Sequence, residues 1–169
     1  LYFFYQRRGL KRWGSASYTF PSCAVANSNL NLYDVDLDIY GLHLDKGRLK
    51  ENDGFVLTSL FGTYQKNLND FLKSAKENNK IVILDNASSP MSEINGLNIC
   101  NFGDSCIGSL HHTKYLGFGE GGFIVIDKNH YEEINEILGF GFKSSNKRRS
   151  YSSLSSNFKI SDVNSAAIL

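Results

Sequence analysis

The stretch that most limits what this chain can become is Ser109–Gly122, SLHHTKYLGFGEGG. The run Ser105–Leu110 reads as a strand leading into it, and Phe123–Asp127 as a strand leaving it. Between them Gly117, Gly119, Gly121 and Gly122 crowd the sequence, and one lysine, Lys114, precedes them. Glycine this dense lets a backbone take positive φ and approach a ligand closely. Exposed N–H groups beside a serine hydroxyl and a lysine suit an anion. The plain alternative is a tight connection between two strands, with the lysine in solvent. The G-x-x-x-x-G-K-[ST] phosphate loop does not match, because the lysine comes before the glycines and no Ser or Thr follows it. A lysine among glycines, downstream of Ser109, instead points to a Schiff-base lysine beside a cofactor phosphate.

A cofactor of that kind needs an acid, and Lys80–Leu84, KIVIL, delivers one in Asp85. A carboxylate at the carboxyl end of a buried strand sits where open α/β sheets bind ligands. Paired with a pyridine nitrogen, it would keep the ring protonated and make it an electron sink. The alternative for Asp85 is a turn or helix-cap residue.

At these residues the sequence resembles the nucleotide-sugar aminotransferases of the DegT–DnrJ–StrS type, within the aspartate-aminotransferase fold. The matching pieces occur in order: SYTF at Ser17–Phe20, DVD at Asp34–Asp36, LFG at Leu60–Gly62 and LDNAS at Leu84–Ser88. Gly103-Asp104 then leads to S-x-x-x-T-K at Ser109–Lys114 and L-G-x-G-E-G-G at Leu116–Gly122, and NFKISDVNSAA at Asn157–Ala167 follows. The lysine-to-GEGG block is the most specific piece, and the resemblance runs from about Ser17 to the end.

The resemblance implies a three-layer α/β/α fold with a mostly parallel sheet, the central part of the large domain of a pyridoxal-phosphate transferase. Lys114 would hold pyridoxal phosphate as a Schiff base, Asp85 would pair with the pyridine nitrogen, and Ser109 would bind the phosphate. Phe20 would stack on the ring face. Asn157 would reach the phosphate of a neighbouring subunit across a homodimer. Four positions depart from the family pattern. Ser88 stands where Gln usually reaches the ring hydroxyl, His112 where Pro precedes Thr-Lys, Ser59 where His is usual, and Phe140 where Arg or His precedes the glycine at Gly141. The chain starts with Leu and ends in Ala-Ala-Ile-Leu. It is therefore expected to be the middle of such an enzyme, without the upstream phosphate-binding turn and the C-terminal small domain.

With 169 residues the chain is sized for one domain, and 41% hydrophobic residues argue for a packed core. A net charge of +1 gives no strong pull toward nucleic acid or membrane. Cys23, Cys100 and Cys106 form no C-x-x-C pair and favour free thiols in a reducing cytoplasm. No apolar run approaches the ~20 residues of a membrane span.

Along the chain, Leu1–Gly14 reads as a solvated basic-aromatic segment, Ala16–Phe20 as a strand closed by Pro21, and Ser22–Asn31 as a helix. Leu32–Val35 reads as a strand, and Asp36, Asp38 and Asp45 as loop acids without calcium-loop spacing. Gly54–Phe61 is a β-rich run. In Asn67–Asn79, Leu68, Phe71, Leu72 and Ala75 share one helical face, with Asn67 as N-cap. Strand, helix and strand in succession predict a parallel pair with a right-handed crossover. Asn129–Leu138 reads as a second helix with Tyr131, Ile134, Ile137 and Leu138 inward and Gly139 as its stop. Lys143–Ser156, with Lys147, Arg148 and Arg149, reads as a mobile surface loop, the sharper alternative being a nucleotide-diphosphate patch. His111 and His112 are adjacent and are expected to point apart, a poor metal pair.

The function implied is transamination of a keto-sugar nucleotide with an amino-acid donor, glutamate by resemblance, in sugar biosynthesis for a polysaccharide or antibiotic. Lys114, displaced by the donor and neutral, would move the α-carbon proton. Three rivals stand beside it. A cofactor-dependent sugar dehydratase would carry His in place of Lys114. A non-catalytic remnant is kept open by Ser88 and by the expected lack of the upstream turn and the small domain, and the isolated chain is expected to be a poor enzyme or none. A generic phosphate-binding α/β domain would form no reducible bond to a lysine.

Overall fold

The computed structural model describes the chain apart from Ser28, Val35, Asp36, Ile39, Tyr40, His43, Phe118, Asn146 and Lys147, and describes only the backbone at 37–38, 41–42, 144–145 and 148–149. The acids Asp36 and Asp38 and the cations Lys147, Arg148 and Arg149 singled out above therefore lie outside the described side chains.

Six strands form one sheet: β1 (Trp13–Ala16), β2 (Leu30–Tyr33), β3 (Gly54–Thr58), β4 (Ile81–Asp85), β5 (Ser105–Ser109) and β6 (Gly122–Ile126). Their order is β6-β5-β4-β3-β1-β2. All neighbours are parallel except β5 and β6, which pair antiparallel with Gly122 opposite Ser109. The mostly parallel sheet read from the sequence is thus present. Every parallel strand ends toward the same edge, and there Thr58 pairs with Asp85 and Asp85 with Ile107.

Successive strand residues point to opposite faces, and the burial obeys that period. Phe55, Leu57, Val82, Leu84 and Cys106 pack under α3 (Leu68–Glu77) through Leu68, Phe71 and Ala75. Phe55 meets Phe71 edge-on, centroids 5.6 Å apart, a geometry worth ~0.5–1.5 kcal/mol beyond area burial. Val56 and Ile83 point the other way, onto α1 (Tyr2–Gln6) and α4 (Tyr131–Leu138), with Phe4, Tyr5, Trp13, Ile134 and Ile137. Helices on both faces make the three layers.

Several local expectations are corrected. Leu1–Gly14 is core: Phe4, Tyr5 and Trp13 are buried, and its arginines Arg7 and Arg8 pair with Glu136 and Glu133 on α4. Aromatic spacing over one short turn and a strand gave no periodic signal to find this. Strand β1 ends at Ala16, and Ser17–Thr19 are bends. The helix read over Ser22–Asn31 is only α2 (Ser22–Val25), because the Asn27 side chain accepts from the Asn29 N–H at 3.0 Å and turns the chain away. Asn67 holds the N-cap position of α3 without a side-chain cap bond. Tyr131 faces solvent at 61% exposure. The segment read as a mobile loop contains an antiparallel hairpin, Phe142–Ser145 with Arg148–Tyr151. Asp45 is a cap: its carboxylate accepts from the Gly47 N–H at 2.8 Å.

Candidate active site

Asp85 closes β4 and is 5% exposed. Its Oδ1 accepts from the Ala87 N–H at 3.1 Å, and its Oδ2 faces the Cys23 thiol at 3.7 Å. Burial pushes its carboxyl above the ordinary range, while the Ala87 N–H, the Cys23 thiol and the charge of Lys114 pull it back. Cys23 reaches Asp85 because the chain turns at Phe20-Pro21: the Cys23 N–H donates to the Phe20 carbonyl at 3.1 Å. Beside them the Thr19 and Thr58 hydroxyls lie 2.8 Å apart. The Tyr2 hydroxyl is buried with no hydrogen-bond partner among the described residues; burial, then Cys23 and Asp85, raise its pKa.

Ser109 closes β5, the strand next to Asp85. Its Oγ accepts from the His111 N–H at 3.2 Å. Two tight turns follow. The Lys114 N–H donates to the His111 carbonyl and the Gly117 N–H to the Lys114 carbonyl, both at 2.8 Å. Lys114 is half-buried, and its ammonium makes no ion pair among the described residues. Gly117 is required by space: a Cβ there would come 2.0 Å from the His111 carbonyl oxygen. Gly119 is required by conformation, with φ +68°. The far side of the loop leans on the chain's last segment. The Asn164 Nδ2 donates to the Glu120 carbonyl at 2.7 Å, and Ile160 packs where a Gly121 Cβ would stand. Asn164 belongs to α5 (Asp162–Ile168), capped by Ser161.

The structure thus gathers Asp85, Ser109 and Lys114 at one edge of the sheet, with Phe20 on the neighbouring turn and 70% exposed. Ser88 is exposed and makes no side-chain hydrogen bond among the described residues; its half-buried neighbour Ser89 bonds Ser59 instead. Asn157 is exposed, its backbone bridging Gly139 at the end of α4. Cys23 and Tyr2 were not expected beside Asp85, and Asn86, fully buried beneath Tyr64, was given no role within LDNAS. The sequence separation of Cys23 and Tyr2 from Asp85 left no local motif to join them. One expectation fails outright. His111 and His112 do not diverge: their rings lie 4.1 Å apart, and His111 Nε2 is 3.3 Å from Glu120 Oε1. The tight turn folds the two side chains to one side.

Helices on both faces of a mostly parallel sheet, with these residues at the strands' carboxyl edge, define an open α/β fold of the kind that binds ligands at that edge. Within it, this chain belongs to the DegT/DnrJ/EryC1/StrS aminotransferase family, whose model matches residues 16–169. Solved structures agree in fold. A DegT DnrJ EryC1 StrS aminotransferase from Brucella abortus superposes with a TM-score of 0.84 at 20% identity, over 99% of this chain and 49% of its own. Helicobacter pylori PseC, an aminotransferase of pseudoaminic acid biosynthesis, gives 0.79 at 17% identity, over 94% and 44%. S. venezuelae DesV gives 0.76 at 19% identity, over 98% and 47%. The chain therefore spans about half the length of the structures it matches. Among the described residues no helix is long and apolar enough to cross a membrane.

Proposed function

We propose that this chain is the cofactor-holding part of the large domain of a pyridoxal-phosphate-dependent aminotransferase. It would move an amino group from an amino-acid donor, glutamate by family resemblance, to a keto-sugar nucleotide, as part of a cytoplasmic homodimer. The observation that carries this reading is Asp85: a buried carboxylate with one good hydrogen-bond donor, within the field of Lys114. A buried carboxylate so poorly satisfied calls for a cationic partner, and a protonated pyridine fits that need. The free thiols Cys23, Cys100 and Cys106 support a reducing compartment.

Pyridoxal phosphate, when bound, supplies an aldehyde carbon and a protonated ring that draws electrons. Asp85 Oδ2 would accept from the ring N–H and hold that proton in place. Ser109 and the N–H groups of the glycine loop would orient the phosphate, and Phe20 would cover one ring face and exclude water. Lys114 Nζ would anchor the aldehyde carbon and, once displaced and neutral, take the proton from the donor's α-carbon.

The test is a pyridoxal-phosphate titration followed by visible absorbance, then borohydride reduction and peptide mapping. The expected result is cofactor fixed to Lys114 in the parent and none in Lys114→Ala. Equal fixation in the variant would overturn the assignment. Transamination is then assayed in the dimeric full-length parent with glutamate and a keto-sugar nucleotide.

A further inference from the structure

The lysine loop carries a second constellation that the proposed reaction does not use. One ring nitrogen of His111, one of His112 and a carboxylate oxygen of Glu120 all lie within 4.8 Å of one another. We infer that His111, His112 and Glu120 form a binding site for a divalent transition-metal ion of the zinc type. The donor set is two imidazoles and one carboxylate, which suits zinc and its neighbours and not magnesium or calcium. Zinc binds such ligands at about 2.0–2.2 Å, so they stand roughly 3.4 Å apart around it. His111 Nε2 and Glu120 Oε1, at 3.3 Å, already have that separation. His112 and Glu120 are exposed, so the remaining ring can close by rotating without disturbing the core.

His111 also has the outer support that metal-bound histidines use. Its Nδ1 is 2.8 Å from the Thr113 hydroxyl. The Thr113 N–H also lies within reach of Nδ1, at 3.3 Å. With a metal on the Nε2 lone pair, Nδ1 carries the ring proton, the Thr113 hydroxyl oxygen accepts it, and the Thr113 N–H gives up its longer contact with Nδ1. No redox step is involved. His111 and His112 precede Lys114 and Glu120 follows it, so the ion would tie the two ends of the lysine loop together. Water would fill the open coordination position.

The test needs no cofactor and so is independent of the aminotransferase reading. Zinc alone is titrated against the cofactor-free chain by equilibrium dialysis, with cobalt substitution to report geometry by visible absorption. The expected result is one zinc per chain and a four-coordinate cobalt spectrum. His112→Ala and Glu120→Gln should each weaken uptake about tenfold or more, with unchanged circular dichroism, since both side chains are exposed. The other zinc-binding choice is the Cys100–Cys106 pair, whose sulfurs lie 3.1 Å apart. Uptake that survives both variants and disappears in Cys100→Ser would overturn the inference, as would no uptake at all.

Discussion

The Cys23 sulfur lies 3.7 Å from Asp85 Oδ2, although 62 positions separate the two residues. A thiol is the weakest common donor, so it satisfies this buried oxygen poorly. The chain thus keeps a charged group at a cost to its own folding, where a ligand can offset it.

That cost is measurable. Because burial raises the folded-state pKa of Asp85, folding binds a proton that the unfolded chain has already lost. Stability therefore falls as pH climbs from the unfolded value, about 3.9, through the raised folded one, and stays lower above it. Asp85→Asn should raise the Tm of the cofactor-free chain at pH 7, by about 2–4 °C per kcal/mol recovered, and give no gain near pH 3. Thermal melts at both pH values check this. Turnover of the full-length parent should fall in the same variant.

The Cys23 thiol is buried, and burial, aided by the Asp85 charge, pushes its pKa up to about 11. Alkylation requires the thiolate. Iodoacetamide at pH 7.5 should leave Cys23 unlabelled in the folded chain while modifying it readily in urea. Peptide mass mapping gives the answer, and rapid native labelling would contradict the packing described.

What the sequence revealed follows from range. The placement of Asp85, Ser109 and Lys114 was legible because Asp85 closes β4, Ser109 closes β5 and Lys114 follows in the loop to β6, and local pattern marks strand ends. Helix α3 was legible through a regular apolar face. The role of Phe4, Tyr5 and Trp13 was not, since their burial depends on α4, far along the chain. Nor was the thiol at Asp85, which a turn at Pro21 and the sheet's strand order bring into place. The stacking of His111 on His112 depends on the turn that Gly117 permits, and adjacent residues in an extended chain would point apart.

Arg7 ties three elements together. Its guanidinium donates to Glu136 at 2.9 Å and to the Ser153 carbonyl at 2.8 Å, with both charged side chains mostly covered. Burial favours the neutral acid at Glu136, but hydrogen bonds from Ser152 and Arg7 and the charges of Arg7 and Lys143 override it and hold its pKa low. Arg7→Ala should cost about 1.5–3 kcal/mol at pH 7. Arg8→Ala should cost under about 1 kcal/mol for its more exposed pair with Glu133. Since the Glu136 pKa is depressed, its stabilisation is present above the unfolded value and is lost as pH falls through the folded one. Urea titrations at pH 7 and pH 3 should show the Arg7→Ala difference shrink at the lower pH.

Gly117→Ala places a methyl group against the His111 carbonyl, which must move. The turn that carries Lys114 should open while the sheet stays intact. Limited trypsin digestion should then cut after Lys114 several times faster than in the parent, with little change in Tm. Equal digestion rates would show that the turn tolerates the side chain.

The bond from Asn164 to the Glu120 carbonyl spans 44 positions. A ribosome adding 5–20 residues per second takes roughly 2–9 s to cover that distance. During that interval β5 and β6 can already pair, while the lysine loop has no partner on its outer side. The lysine loop is therefore set only after Asn164 has been made, and a pause in translation between Glu120 and Asn164 would lengthen the period in which Lys114 is exposed to solvent and to stray aldehydes.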